Sequence, residues 1–204
     1  MLGVRVSSDQ AKMMEVHARH LLLWNSKINI TAITDPLAVA EKHFMDCLAA
    51  VMLFSSGQKV MDMGSGGGFP GIVLKIMNPS LNILMVDASR KKVSFLKDVI
   101  RRLNLENIEA VHARVEDLHA DQDYVSRFDA VISRAFSELS DFVNLSIPFL
   151  KPDGCLHAMK GKTSKNEITR DILEKFHIHT HPYELPFEKS ERHILSLTRN
   201  LTHK

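Results

Sequence analysis

Apolar residues recur at helical spacing in the first quarter of the chain. Between Ser8 and Lys27, Met13, Val16, Leu21, Leu23 and Trp24 are interleaved with Glu15, His17 and Arg19, the pattern of a helix with one buried side. Ser7, Ser8 and Asp9 offer oxygens to the unpaired N–H groups at its start. Asn25 to Thr31 reads as a turn. Asp35-Pro36 then opens a second helix, expected to run to about Phe54, with Pro36 at the first position, where its missing N–H is harmless. Ser55-Ser56-Gly57 ends it. From Gln58 the period changes. Apolar runs at Lys59–Met63, Leu81–Val86, Ile108–His112, Phe128–Ser133 and Cys155–Met159 predict strands. Phe69–Asn78, Ser89–Leu103, Glu138–Leu150 and Thr163–Phe176 predict the helices beside them, and Asp153-Gly154 a turn before the fifth strand. Two extended runs, His177–His181 and Arg192–Thr198, close the chain with no long helix between them. Such alternation predicts an α/β fold, a mostly parallel sheet covered on both faces with a C-terminal antiparallel hairpin. Residues 1–56 read as a helical cap in front of a main domain at 57–204, the latter one compact unit.

Composition narrows this reading. A chain of 204 residues holds one α/β domain with a modest addition, not two large domains. A hydrophobic fraction of 45% excludes disorder as the main state, and nine Gly with seven Pro exclude a collagen-like chain. The formal net charge is only +2, so any nucleic-acid surface must come from local clustering of basic groups. Cys47 and Cys155 lie far apart without a CxxC, which argues against a disulfide scaffold or a cysteine zinc site. The start, MLGVRVSSDQ, lacks a signal-peptide apolar stretch, and no apolar run approaches the roughly 18–20 residues that cross a bilayer. The expectation is a soluble cytoplasmic protein with no membrane partner and no metal.

The sharpest chemical signal is a glycine turn, Asp62, Gly64, Gly66, Gly67, Gly68, Phe69, Pro70 and Gly71, between a predicted strand and a predicted helix. Such a turn lets a ligand lie against backbone N–H groups. The dinucleotide fingerprint needs glycine where Phe69 stands, and the Walker pattern fails because no Gly-Lys-Ser/Thr follows. What remains is GxGxG preceded by Asp62, suited to an amino-acid moiety and a ribose, with the Asp62 carboxylate able to accept from a ligand ammonium. Asp87 ends the second strand about twenty residues on, where an acid accepts ribose hydroxyls. A plain tight turn with Asp87 capping the next helix is the alternative. The ligand favoured by turn and acid together is S-adenosylmethionine (SAM).

The sequence resembles the ribosomal RNA small subunit methyltransferase G family over nearly its whole length. The carrying segments are Trp24–Thr31 (WNSKINIT), Lys42–Leu48 (KHFMDCL), Asp62–Gly71 (DMGSGGGFPG), Asp87–Leu96, Arg114-Val115-Glu116, Ile132–Phe136 (ISRAF) and Met159-Lys160-Gly161. The resemblance implies a Rossmann-like class I methyltransferase that uses SAM and makes 7-methylguanosine in the decoding-centre loop of 16S rRNA, within the 30S subunit or an assembly intermediate. It implies that Gly64 and Phe69 contact the cofactor, that Val115 and Glu116 lie beside its adenine, and that Arg134 lies near its methionine end. Met61 and Met63 stand where the family usually has smaller aliphatics, a change that should only repack the core.

Arg90, Lys91, Lys92, Lys97, Arg101 and Arg102 cluster on one predicted helix, either as a solvated face or as phosphate contacts. Arg114, Arg134 and Lys160 each follow a predicted strand, at the ligand edge of a parallel sheet. Lys91, Lys92, Arg114 and Lys160 are the candidates for gripping RNA. Arg134 and Lys160 are the candidates for positioning the target guanine, with no general base expected. His43 and Asp46 share one side of the second helix, as a local pair or as part of the pocket wall. His177, His179 and His181 alternate on one strand face but lack the carboxylates that would make them a convincing metal site. A small-molecule enzyme on the same fold and a non-catalytic RNA-binding module are the competing functions. Basic residues around the site disfavour the first, and an intact glycine turn with Asp87 disfavours the second.

Overall fold

The first helix, α1 (Ser8–Ile28), starts on a capping box. The Ser7 hydroxyl accepts from the Gln10 backbone N–H at 3.2 Å, and the Gln10 side chain accepts from the Ser7 N–H at 2.9 Å. Its buried face is Met14, His17, Leu21 and Asn25, spaced three and four apart. His17, expected among the polar interleaving residues, lies on this face and is fully buried. The computed structural model describes residues 3–134, 136, 138–161 and 167–200.

The second helix is not continuous to Phe54 as expected. It divides into α2 (Pro36–Val39), a π-helical turn (Ala40–Met45) and α3 (Asp46–Leu48), followed by a short 3-10 turn at Val51–Leu53. The wide turn accompanies long-range demands on the same residues: the Lys42 carbonyl accepts from the Arg134 guanidinium at 3.0 Å, and Glu41, His43 and Phe44 are buried.

β1 (Lys59–Met63), β2 (Asn82–Asp87), β3 (Ile108–His112) and β4 (Phe128–Ser133) form where the apolar runs predict them. β5 (Leu150–Lys160) begins before the Asp153-Gly154 turn rather than after it. Leu150 pairs with Phe128 and Cys155 with Ala130, so the intervening residues bulge out without ending the strand. β6 (Phe176–Glu184) and β7 (Glu191–Arg199) form the antiparallel hairpin. The sheet order is β3-β2-β1-β4-β5-β7-β6, with β1 to β5 parallel and β7 antiparallel to β5.

Helices cover both faces. α1, α4 (Gly71–Met77) and α5 (Arg90–Arg102) share one apolar cluster with the cap, including Leu21, Phe44, Phe69, Ile72 and Phe95. α6 (Leu139–Ser146) and α7 (Arg170–Lys175) pack on the other, around Phe142, Phe149 and Ile172. α6 stops short of its expected end, just ahead of Pro148. The expected start of α7, at Thr163, lies outside the described residues. No helix among the described residues is long and apolar enough to cross a membrane.

The connectivity locates the site. β2 and β3 run off one side of β1, and β4 and β5 off the other. That reversal opens a crevice at the carboxyl ends of β1 and β4. The Ser133 hydroxyl, at the end of β4, donates to the Met63 carbonyl at the end of β1 at 2.6 Å, fixing the two strand ends together.

Candidate active site at the carboxyl edge of the sheet

Two buried carboxylates splint the glycine turn from inside. Asp62 Oδ2 accepts the Gly71 N–H at 2.9 Å, at the start of α4. Asp87 Oδ2 accepts the Gly66 N–H at 2.9 Å, and its Oδ1 accepts the Ser89 N–H at 2.8 Å. Gly64 leaves β1 with φ 73° while its N–H donates to the Val86 carbonyl at 2.8 Å. Gly68 has φ 86°, and a Cβ there would lie 2.5 Å from Ile72 Cδ1, so this glycine serves packing. Asp62 is fully buried, and burial pushes its carboxyl up to about 7 against the lowering effects of the Gly71 and Ser65 hydrogen bonds and Arg134. Its Oδ1 is buried without a hydrogen-bond partner.

The turn forms the floor of a cavity of about 200 Å³, walled by Gly64 to Gly67, Phe69, His43, Lys92 and Arg134. A second hollow of about 260 Å³ shares His43 and Arg134 with it and adds Lys42, Asp46, Lys160, Tyr183 and Arg192. Two adjoining chambers with a common wall suit two ligands that must meet. A larger hollow, about 630 Å³, lies elsewhere, among Lys59, Asn82, Ile108 and Phe128 at the opposite ends of the strands. Volume therefore does not mark this site; the ends of the strands do.

The common wall is built from aromatic rings and one guanidinium. His17 and His43 both stack on Phe69, with centroids 4.9 and 4.7 Å away, and Phe44 meets Phe69 edge-on at 5.1 Å. The Arg134 guanidinium lies 5.1 Å from the Phe69 ring centre. It donates to the Lys42 carbonyl at 3.0 Å and to His43 Nδ1 at 3.1 Å, with Asp46 Oδ2 at 3.5 Å. Because arginine only donates, His43 Nδ1 must be the acceptor, and its Nε2 carries the proton toward Thr31 Oγ1 at 2.9 Å. His17 Nε2 likewise donates to the Gly67 carbonyl at 2.7 Å. Burial lowers both imidazoles to about 4, with the Arg134 charge adding to the effect at His43. Asp46 Oδ1 accepts from the Tyr183 hydroxyl at 2.8 Å, tying β6 to the cap.

Of the residues expected at the site, Gly64, Gly66, Phe69, Lys92 and Arg134 line the first cavity, and Arg134 and Lys160 line the second. Three expectations change. Asp62 lies behind the turn as a brace, with one oxygen already on Gly71. Asp87 braces the turn through Gly66 and holds the Ser89 N–H just ahead of α5, as the tight-turn reading of this residue expects. Lys160 has its ammonium 2.8 Å from Glu167 and 3.2 Å from the Phe136 carbonyl, so its charge is already partnered. Val115 and Glu116 begin a 3-10 turn after β3, and Ala113 N–H donates to the Asp87 carbonyl at 3.3 Å, which brings that segment beside Asp87. Lys91 and Arg114 are exposed at the same edge, whereas Arg101 and Arg102 pair with Asp98. His17, Thr31, Tyr183 and Arg192 escaped the sequence reading as wall residues. Only His17 left a signal, its three-and-four spacing with Met14 and Leu21. His179 and His181 lie 3.2 Å apart, and His181 bonds Ser196 at 2.9 Å. Among the described residues, no group of three His, Cys, Asp or Glu is placed to hold a metal ion.

A sheet of this order, a glycine turn after β1 and an acid ending β2 define the Rossmann-like, SAM-dependent methyltransferase class. Solved structures bear out the fold. The chain is similar to a predicted O-methyltransferase, protein Atu636, from Agrobacterium tumefaciens, with TM-score 0.65 and 16% identity over 77% of this chain and 81% of that one. It is also similar to a SAM-dependent methyltransferase from Aquifex aeolicus, with TM-score 0.57 and 14% identity over 94% and 99% of the two chains. The model of the rRNA small subunit methyltransferase G family matches residues 10–195, and the chain belongs to that family. It is 39% identical to the ribosomal RNA small subunit methyltransferase G of Geobacter sp. (strain M21), covering 98% of this chain and 93% of that protein. The corresponding protein of Desulfitobacterium hafniense (strain Y51) is 40% identical over 82% of this chain and 70% of its own length.

Proposed function

We propose that the protein transfers the methyl group of SAM to N7 of a guanine in the decoding-centre loop of 16S rRNA, in the cytoplasm, on the 30S subunit or an assembly intermediate. The observation that carries this reading is the pair of adjoining cavities that share His43 and Arg134. The first takes the cofactor and the second the target base. The residues fit SAM: Gly64, Gly66 and Phe69 form its floor, and Asp87 still has lone pairs for ribose hydroxyls. Gly68 shapes the turn from behind, Val115 and Glu116 flank the adenine, and Asp62 acts through the turn it braces. The cap, 1–56, and the main domain, 57–204, work as one unit, because the cap supplies His43 to both cavities.

Bound SAM supplies a methyl group on a sulfonium centre, already electrophilic. Guanine N7 presents an in-plane lone pair and loses no proton on methylation, so the site needs no base. The chain agrees: His43 has one nitrogen accepting from Arg134 and the other donating to Thr31, leaving it no role in proton removal. Arg134 and Lys160 are positioning groups. Orientation alone can contribute up to about 7–11 kcal/mol to the barrier reduction. The test is methylation of 30S subunits lacking the modification, with rRNA nucleosides mapped by mass. The expected product is one 7-methylguanosine, formed at a single-turnover rate nearly flat between about pH 7 and 8.5. A rise of about tenfold per pH unit, lost on replacing one side chain, would show that a general base exists.

RNA phosphates are met by Lys91, Lys92 and Arg114 at the rim. Neutralising Lys91 and Arg114, which stand outside the cofactor cavity, should weaken 30S binding and flatten its log–log salt dependence by about 0.7–0.9 for each phosphate no longer gripped, leaving SAM affinity unchanged. An unchanged slope would make them a solvated face.

A further inference from the structure

A carboxylate occupies a two-cation seat on the wall of the second cavity. Lys42, from the π-helical turn, and Arg192, from β7, both line that cavity. Each is turned onto the same exposed side chain, Glu188, in the loop joining β6 to β7. Lys42 Nζ lies 2.5 Å from Glu188 Oε1, and an Arg192 guanidinium nitrogen lies 3.6 Å from Glu188 Oε2. Ser190 Oγ also donates to Oε2 at 2.9 Å. The loop is held there from below, because the buried Glu41 carboxylate accepts the N–H groups of Phe187 at 2.6 Å and Glu188 at 2.8 Å. Two cations and a hydroxyl converging on one anion, beside a chamber sized for a base, are the donor set that grips a phosphodiester. The neighbouring Phe187 ring is 77% exposed, an aromatic surface on which an unpaired base can stack.

We propose that Lys42 and Arg192 form the subsite for an RNA phosphate flanking the target guanine, and that Glu188 fills it in the free protein and is displaced by the RNA. The inference rests on the RNA methyltransferase function proposed for the site. It adds a placeholder anion to that function, and with it a consequence of unusual sign: removing one negative charge should tighten RNA binding. A loop fastener would behave otherwise, since losing the ion pair would leave affinity unchanged or reduce it. The placeholder also favours correct substrates, because a stray anion must compete with a tethered carboxylate.

The experiment measures binding of unmethylated 30S subunits across a salt series by wild type, Glu188→Gln, and Glu188→Gln combined with Lys42→Gln and Arg192→Gln. Circular dichroism confirms folding, and SAM titration serves as the internal control. Glu188→Gln should bind several-fold more tightly at low salt, with a log–log slope steeper by up to about 0.7–0.9, one phosphate subsite freed of internal competition. The triple variant should lose that gain while binding SAM like wild type. Unchanged or weaker 30S affinity in Glu188→Gln overturns the subsite, as does a gain that survives in the triple variant. Wild-type protein that neither binds nor methylates 30S subunits overturns the RNA methyltransferase function itself, a failure distinguishable from either of these.

Discussion

Gly64→Val is expected to abolish SAM binding and leave the protein folded. Gly64 has φ 73°, a conformation that a β-branched L-residue adopts only under strain. Holding a non-glycine residue there costs about 1–3 kcal/mol, well below the roughly 5–15 kcal/mol of a typical domain, so the fold survives. The strain is relieved where the chain can move, in the turn itself, and the turn is the floor proposed for the cofactor. Isothermal titration should find no SAM binding while circular dichroism matches wild type. Ordinary SAM affinity in the variant would remove the glycine turn from the cofactor site.

Stability is expected to fall steeply on mild acidification. His17, His43 and His157 are each held neutral by burial, with values lowered from 6.5 to about 4. Between these limits the unfolded chain binds protons at all three imidazoles and the native state does not. Unfolding therefore takes up protons, and stability is lost as pH drops from about 6.5 toward 4, at up to about 1.4 kcal/mol per pH unit for each group. Asp62 acts in the opposite direction. Its carboxyl, raised from 3.8 to about 7, keeps a proton in the native state that the unfolded chain has lost, so its contribution falls as pH rises through the same window. Three groups outweigh one, and the net slope favours neutral pH. Urea midpoints should drop clearly between about pH 7 and 5. His17→Gln, whose amide can still donate to the Gly67 carbonyl, should flatten the dependence, and Asp62→Asn should steepen it. Midpoints that do not move with pH in wild type would show that these imidazoles are protonated in the native protein.

The elements were legible because each has a local period. β1 is a buried run closed by the glycine turn, β3 alternates buried and exposed positions over its first three residues, and α1 carries its cap at Ser7 and its apolar face at Met14 and Leu21. The glycine turn was legible for a similar reason, since left-handed backbone at Gly64 and Gly68 leaves a mark in composition. The π-helical turn left no such mark. Its wide geometry accompanies what Arg134 asks of Lys42, ninety-two residues away in the chain.

By itself, the sequence determined the α/β class, the glycine turn with its acid, and the family to which the turn and the ISRAF block point. Tertiary structure alone decided which side chains line the two cavities. Asp62 and Asp87 are both acids at strand ends, yet one is sealed behind the turn and the other sits beside the segment after β3. Tyr183 and Asp46 meet across 137 positions, and Lys160 ends on Glu167 rather than on open space. The physical reason is that periodicity records only whether a position is wet or dry. Partner choice among polar groups is set by distances between elements brought together only when the sheet closes around β1 and β4.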